Sequence, residues 1–160
     1  MFKTISLIFI FSTLLMPNEK ENILNVLEDY NKAFGEADYS QIVRFFDYPT
    51  FFNLKDKTIT ASSKFKLNLI YKKIRGSLPD YYSYSKWGEI NIQLIDDKIA
   101  IVDANFSRYK NDNTIFESGS AKYHLRLEDD EWKIFGLTPY KNIEILNWFF
   151  FNKYNNKKYF

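Results

Sequence analysis

The sequence predicts an α+β domain in which helices cover one face of a bent, mostly antiparallel sheet. Three observations carry that expectation. Apolar residues recur at spacings of three and four in the first half of the chain, they alternate with polar residues in the second half, and short polar clusters separate the alternating runs. At 160 residues the chain has the length of one ordinary domain.

The first helix begins at Asn18, with Glu21 in the first turn where the helix dipole favours acid. Ile23, Leu27, Tyr30 and Phe34 form its apolar stripe, and Gly35 ends it. A second, short helix runs from about Ser40 through Ile42, Val43, Phe45 and Phe46 and stops at Pro49. Two short strands flank Phe51 and Ile59. The third helix starts near Ser63, carries Phe65, Leu69, Ile70 and Ile74 as its apolar residues, and ends at Gly76. Strands follow. Residues 81–95 set Tyr82, Tyr84, Ile90, Ile92 and Leu94 on one face, and Asp96-Asp97-Lys98 turns the chain into residues 99–109. Asn111-Asp112-Asn113 makes the next turn. A strand over 114–127 then puts Ala121, Tyr123, Leu125 and Leu127 on one face, and a polar turn at 128–131 leads to a last strand from Trp132 to Leu137.

Composition excludes more than it assigns. Hydrophobic residues at 46% and charged residues at 26% are a globular mixture. The charge excess, 22 − 20 = +2, is too small for a nucleic-acid footprint. Without cysteine there is no disulfide, thiolate nucleophile or thiolate metal site, and one histidine cannot make a two-histidine zinc motif or a diiron bundle. Phosphate-binding loops, dinucleotide fingerprints, nucleophile elbows and HExxH are also absent, so no cofactor or metal is expected.

The two ends differ from the middle. Residues 1–16 read as a possible signal peptide, with Lys3 ahead of an apolar run from Ile5 to Met16. A helix of about a dozen residues spans only ~18 Å, well short of a ~30 Å hydrocarbon core. The expectation is export to the periplasm or medium if that segment is a true leader; otherwise translation starts at Met16 and the protein is cytoplasmic. Residues 140–160 form an aromatic and basic extension in which four lysines against Glu144 give +3. It is expected to cover its own domain or a dimer mate, and contact with a membrane stands as the alternative.

Several strings, taken in order, carry a resemblance. They are the run Asp29 to Asp38 (DYNKAFGEAD), Val43-Arg44-Phe45-Phe46, the run Asp103 to Tyr109 (DANFSRY), and Trp132 to Leu137 (WKIFGL). Over residues 18–139 the chain resembles the nuclear-transport-factor-2-like, or SnoaL-like, superfamily. The resemblance implies a cone: three N-terminal helices packed on a strongly curved, mostly antiparallel sheet, with an apolar pocket at its wide end. It also implies a homodimer through the sheet face. Its members include ketosteroid isomerase, polyketide cyclases, dehydratases and proteins that only bind. In isomerase-like members a first-helix tyrosine donates to the developing oxyanion, which here would be Tyr30. A second, acidic donor falls at Tyr123, and the general-base aspartate falls at Asn53 or Leu54. Neither of those residues can take a proton from carbon, so isomerase chemistry is not expected.

Candidate residues each have a bland alternative. Asp103 shares a face with Ile99 and Ile101, which argues for partial burial and a raised pKa, or for a plain hydrogen-bonded role. His124, beside Tyr123 but on the opposite face with Lys122 and Arg126, is either a general base or an exposed or dimer-facing residue. Asp103 and Arg108 lie on opposite faces and form no dyad. Arg108 is suited to clamping a ligand carboxylate, or to pairing with a neighbouring acid and doing nothing else. The stronger signal is aromatic: Tyr30, Phe34, Phe46, Tyr48, Phe52, Trp87 and Phe106, joined by Tyr123, are expected to line the space between helices and sheet. The functional expectation is a small, hydrophobic-ligand-binding protein without a complete catalytic set. Its rivals are a lyase- or cyclase-type enzyme acting on an apolar carbonyl compound through Asp103 or His124 with Tyr30, and a dimeric interaction module.

Overall fold

A computed structural model describes residues 18–140. The possible leader and the readings of the C-terminal extension beyond residue 140 lie outside the described residues. Helix α1 spans Glu19–Gly35 and turns Ile23, Leu27, Tyr30 and Phe34 inward, as the stripe requires. Asp38 caps the four-residue α2 (Tyr39–Ile42) by accepting from the backbone N–H of Ser40 and Gln41. A 3-10 turn over Val43–Phe45 follows, and β1 (Phe46–Asn53) starts at once. Pro49 therefore does not stop a helix; it sits inside β1, after a cis peptide bond. It lies where the pairing register of β1 shifts between Phe46 and Phe51, a place that needs no N–H from it.

β2 (Thr58–Ala61) returns antiparallel to β1, and Ser63 caps α3 (Lys64–Gly76) through the N–H of Lys66. The buried residues of α3 are Leu67 and Tyr71, with Ile70 and Ile74 packed at the margin. Phe65 and Leu69, expected on the apolar stripe, are instead 75% and 49% exposed. The inner stripe steps four and three through Leu67, Tyr71 and Ile74. Phe65 lies two residues off that row and so projects from the far side.

Three long hairpin-linked strands follow, β3 (Tyr82–Leu94), β4 (Ile99–Lys110) and β5 (Ile115–Glu128), and β6 (Glu131–Tyr140) closes the chain path. The sheet order is β2-β1-β6-β5-β4-β3, antiparallel except where β1 runs parallel to β6. The turns use the residues that tolerate them. Asp96 accepts from the N–H of Lys98 and Ile99, Asp112 accepts from that of Thr114, and Asn113, Asp129 and Asp130 take positive φ. In β4 the buried series Ala100, Val102, Ala104 sets the inner face, on which Tyr123 and Leu125 of β5 and Ile134 of β6 also lie.

Strict alternation fails in β3. Its register shifts between Tyr82 and Tyr84 and again between Trp87 and Ile90. Tyr82 stays buried, whereas Tyr84 stacks on Tyr109 with ring centroids 4.8 Å apart and bonds Asn113 on the exposed side. An extra residue in a strand moves every later side chain to the other face, which is how Trp87, at an odd position, comes to face inward with Ile90 and Ile92. The indole N–H of Trp87 donates to the Leu27 carbonyl at 3.2 Å, and the Asn31 amide donates to the Ser85 carbonyl at 3.0 Å. These two bonds fix α1 across β3. At its other end, Trp132 of β6 donates to Glu19 at 2.6 Å.

Candidate functional site

Between α1, α3 and the inner face of the sheet lies a cavity of about 270 Å³, open on one side. That is close to the lower end of the ~300–1,000 Å³ usual for small-molecule sites. Its walls are largely apolar. Phe34 comes from α1, Phe52 and Leu54 from β1 and its end, Ile74 from α3, and Trp87 and Phe106 from the paired strands β3 and β4. Ala121, Leu137 and Pro139 add the floor strands, and Asn31, Ser85 and Arg108 supply polar atoms.

The deepest polar feature is a cluster of three phenols. The hydroxyls of Tyr30 and Tyr71 share a hydrogen bond at 3.0 Å, and Tyr123 packs beside Tyr30. Their rings meet edge to face at 6.1 Å in both pairs. Burial pushes the hydroxyls of Tyr71 and Tyr123 well above the ordinary 10, and raises that of Tyr30 against the opposing pull of the neighbouring Tyr71 and Tyr123 hydroxyls. All three are neutral at any ordinary pH. Three phenolic protons and one hydrogen bond within the cluster leave protons to offer, and the cavity is where a ligand oxygen can accept one.

Six of the expected lining residues do line it: Tyr30, Phe34, Phe52, Trp87, Phe106 and Tyr123. Phe46 does not. It packs against Tyr30, Phe52 and Tyr71 and is core. Tyr48 is also elsewhere, half-buried and donating to the Val43 carbonyl at 2.7 Å, where partial burial pushes its hydroxyl up to about 12. Tyr71 lines the cavity too, outside the expected set, although its spacing of four from Leu67 marks the inner stripe of α3.

The two candidate bases stand on the other side of the sheet. Asp103 is half-buried on the outer face of the sheet, away from the cavity, where it accepts from the Tyr140 hydroxyl at 2.8 Å and faces Lys122 Nζ at 3.3 Å, the plain hydrogen-bonded role. His124 lies on the same face against Phe135 and over Gly136. Partial burial first, and Lys122 second, lower its pKa. Neither side chain reaches a ligand bound among the tyrosines. At the place that an isomerase base would occupy, Asn53 bonds Thr138 and Thr58 while Leu54 faces the cavity. No carboxylate is among the residues that line it. Among the described residues there is no cluster of three metal-binding side chains, and no helix is long and apolar enough to cross a membrane.

Against known proteins, the match is one of fold. The solved structures that resemble it include a cystatin-like-fold protein of unknown function from Nostoc punctiforme, with 12% identity, a TM-score of 0.67, and 78% of this chain and 92% of that one covered. An NTF-2-like protein of unknown function from Shewanella oneidensis matches with 16% identity, a TM-score of 0.61 and coverage of 76% and 98%. A Novosphingobium aromaticivorans protein, provisionally assigned as a scytalone dehydratase, matches with 11% identity, a TM-score of 0.59 and coverage of 78% and 84%. No curated protein matches the sequence. The family described as "NTF2-like protein (DUF6841)" matches residues 19–142, from the start of α1 to just past the end of β6, and the chain belongs to it.

Proposed function

We propose that the protein binds a small, mostly apolar molecule whose oxygen docks on the tyrosine cluster. The observation that carries this reading is the cavity itself: aromatic walls around phenols that have a proton to spare. The same lining argues against carbon-acid chemistry, because a general base must reach the proton it takes and no carboxylate or imidazole faces the cavity. The rival, a lyase or cyclase on an apolar carbonyl compound, would have Tyr30 as its oxyanion donor and would still lack that base.

Isothermal titration calorimetry with 2-naphthol, a neutral bicycle carrying one hydroxyl, tests the proposal. Binding is expected in the wild type and loss of binding in Leu54→Trp, which narrows the mouth from a position already 38% exposed and so leaves the core intact. Absence of binding in the wild type, or equal binding in Leu54→Trp, would overturn it. Turnover of an apolar enone or β-hydroxy ketone that disappears in Tyr30→Phe would favour the enzyme instead.

A further inference from the structure

The inner-face series of β4, Ala100, Val102, Ala104 and Phe106, ends in a charge. Two residues beyond Phe106 the same parity delivers Arg108 to the cavity wall, where it is the one charged residue among those that line it. Its guanidinium carbon lies 5.0 Å from the ring centre of Phe106 and 6.0 Å from that of Phe34. Aromatic faces satisfy the flat sides of a guanidinium and leave its edges for acceptors.

Those edges are mostly unused. Of five N–H donors, Nη1 reaches Glu117 Oε2 at 2.6 Å, so the pairing with a neighbouring acid is real. Glu117 approaches from the rim, however. Its side chain is 47% exposed against 18% for Arg108, and a water-screened partner of this kind contributes little. Nε is buried and has no acceptor among the described residues. A cation with an orphaned donor, held in an apolar wall and opposed by no lining carboxylate, is a charge left for a ligand to complement.

We propose, resting on the ligand-binding reading above, that the cavity selects an amphipathic carboxylate: a compact aromatic or alicyclic body among Phe34, Trp87 and Phe106, with its carboxylate on Arg108. A carboxylate matches the guanidinium fork in shape and charge, and neither a neutral oxygen nor an ammonium does. The acid and its methyl ester share one ring body, so that body drops out of the comparison, and comparison with Arg108→Gln cancels the added methyl group.

The test is calorimetric titration with 2-naphthoate and methyl 2-naphthoate. Wild type is expected to bind the acid ~10-fold or more tighter, the range of a charge-assisted hydrogen bond. The preference collapses in Arg108→Gln and widens in Glu117→Gln, an exposed change that removes the competing carboxylate. Equal binding of acid and ester by the wild type, or a preference that persists in Arg108→Gln, overturns the carboxylate assignment and leaves the ligand-binding reading standing. Failure of both compounds to bind overturns that reading itself. Should Arg108→Gln not fold, Glu117→Gln decides alone: a widened preference supports the assignment, and an unchanged or narrowed one overturns it.

Discussion

Tyr71 reaches across from α3 to touch Tyr30, Phe34, Phe46 and Phe52, and its hydroxyl anchors the phenol cluster. Tyr71→Phe keeps the ring packing and removes one buried hydrogen bond, so urea unfolding is expected to show a loss of about 0.5–1.5 kcal/mol. Tyr30→Phe removes the hydroxyl that Tyr71 bonds and that stands beside Tyr123. It is expected to cost at least as much, and also to weaken 2-naphthol binding relative to naphthalene in the same titration. On the outer face the expectation reverses. Asp103→Asn and His124→Gln touch nothing in the cavity, so ligand affinity measured by calorimetry should match wild type within a factor of about two, against a tenfold per ~1.4 kcal/mol for a lost contact. These two residues attract attention in the sequence because they titrate, and alternation already places His124 opposite Tyr123. Asp103 misleads for a physical reason: Ile99 and Ile101 beside it are apolar residues of the outer face, and an apolar neighbour on a strand signals which face is shared, not which face is buried.

At the scale of elements, α3 separates what periodicity can and cannot deliver. Four apolar residues there fit a helix in more than one phase, and choosing the row needs the partner surface. The structure chooses Leu67 and Tyr71. Leu67→Ala is therefore expected to destabilise by roughly 2–5 kcal/mol in denaturant unfolding, whereas Phe65→Ala should change stability by no more than about 0.5 kcal/mol. The reverse ranking would return α3 to the phase expected from sequence. The element order, the turn residues of the three hairpins that join β3 to β6 and the inner face of β5 are legible in the chain, because each depends on spacing within one strand or on one acidic or amide side chain in a turn. The bulges of β3 are not legible. They depend on how Tyr84 and Trp87 find their neighbours Tyr109 and Phe106 on β4, information that resides in another strand. The sequence places a short strand at Phe51, but its extension back through Pro49 to Phe46 is hidden for the same reason, since it depends on pairing with β6.

For the whole molecule, the phenols set the alkaline limit. Tyr71 and Tyr123 are held well above 10 by burial, and Tyr48 and Tyr140 are pushed up to about 12, in Tyr140 with help from the proton it donates to Asp103. Above pH ~10 the unfolded chain releases these protons and the folded chain keeps them, so the unfolded form is favoured. Stability is expected to be insensitive to these groups below pH ~10 and to fall progressively between pH ~10 and 12. Urea midpoints measured across that range check it. Tyrosinate absorbance should rise in two stages, the exposed rings first and the cluster only as the protein unfolds; a single early rise would mean that the cluster is wet.

Gly119 faces Phe106 across the β4–β5 ladder, and a methyl group placed on it would come within 2.8 Å of the tip of the Phe106 ring. The ring rests where it does because its cross-strand neighbour is bare hydrogen, so one wall of the cavity is set by an atom that never touches the cavity. Gly119 thus acts as a spacer whose thickness can be dialled. Alanine there must displace the ring, and would retune the size of molecule admitted while every residue in contact with it stays the same.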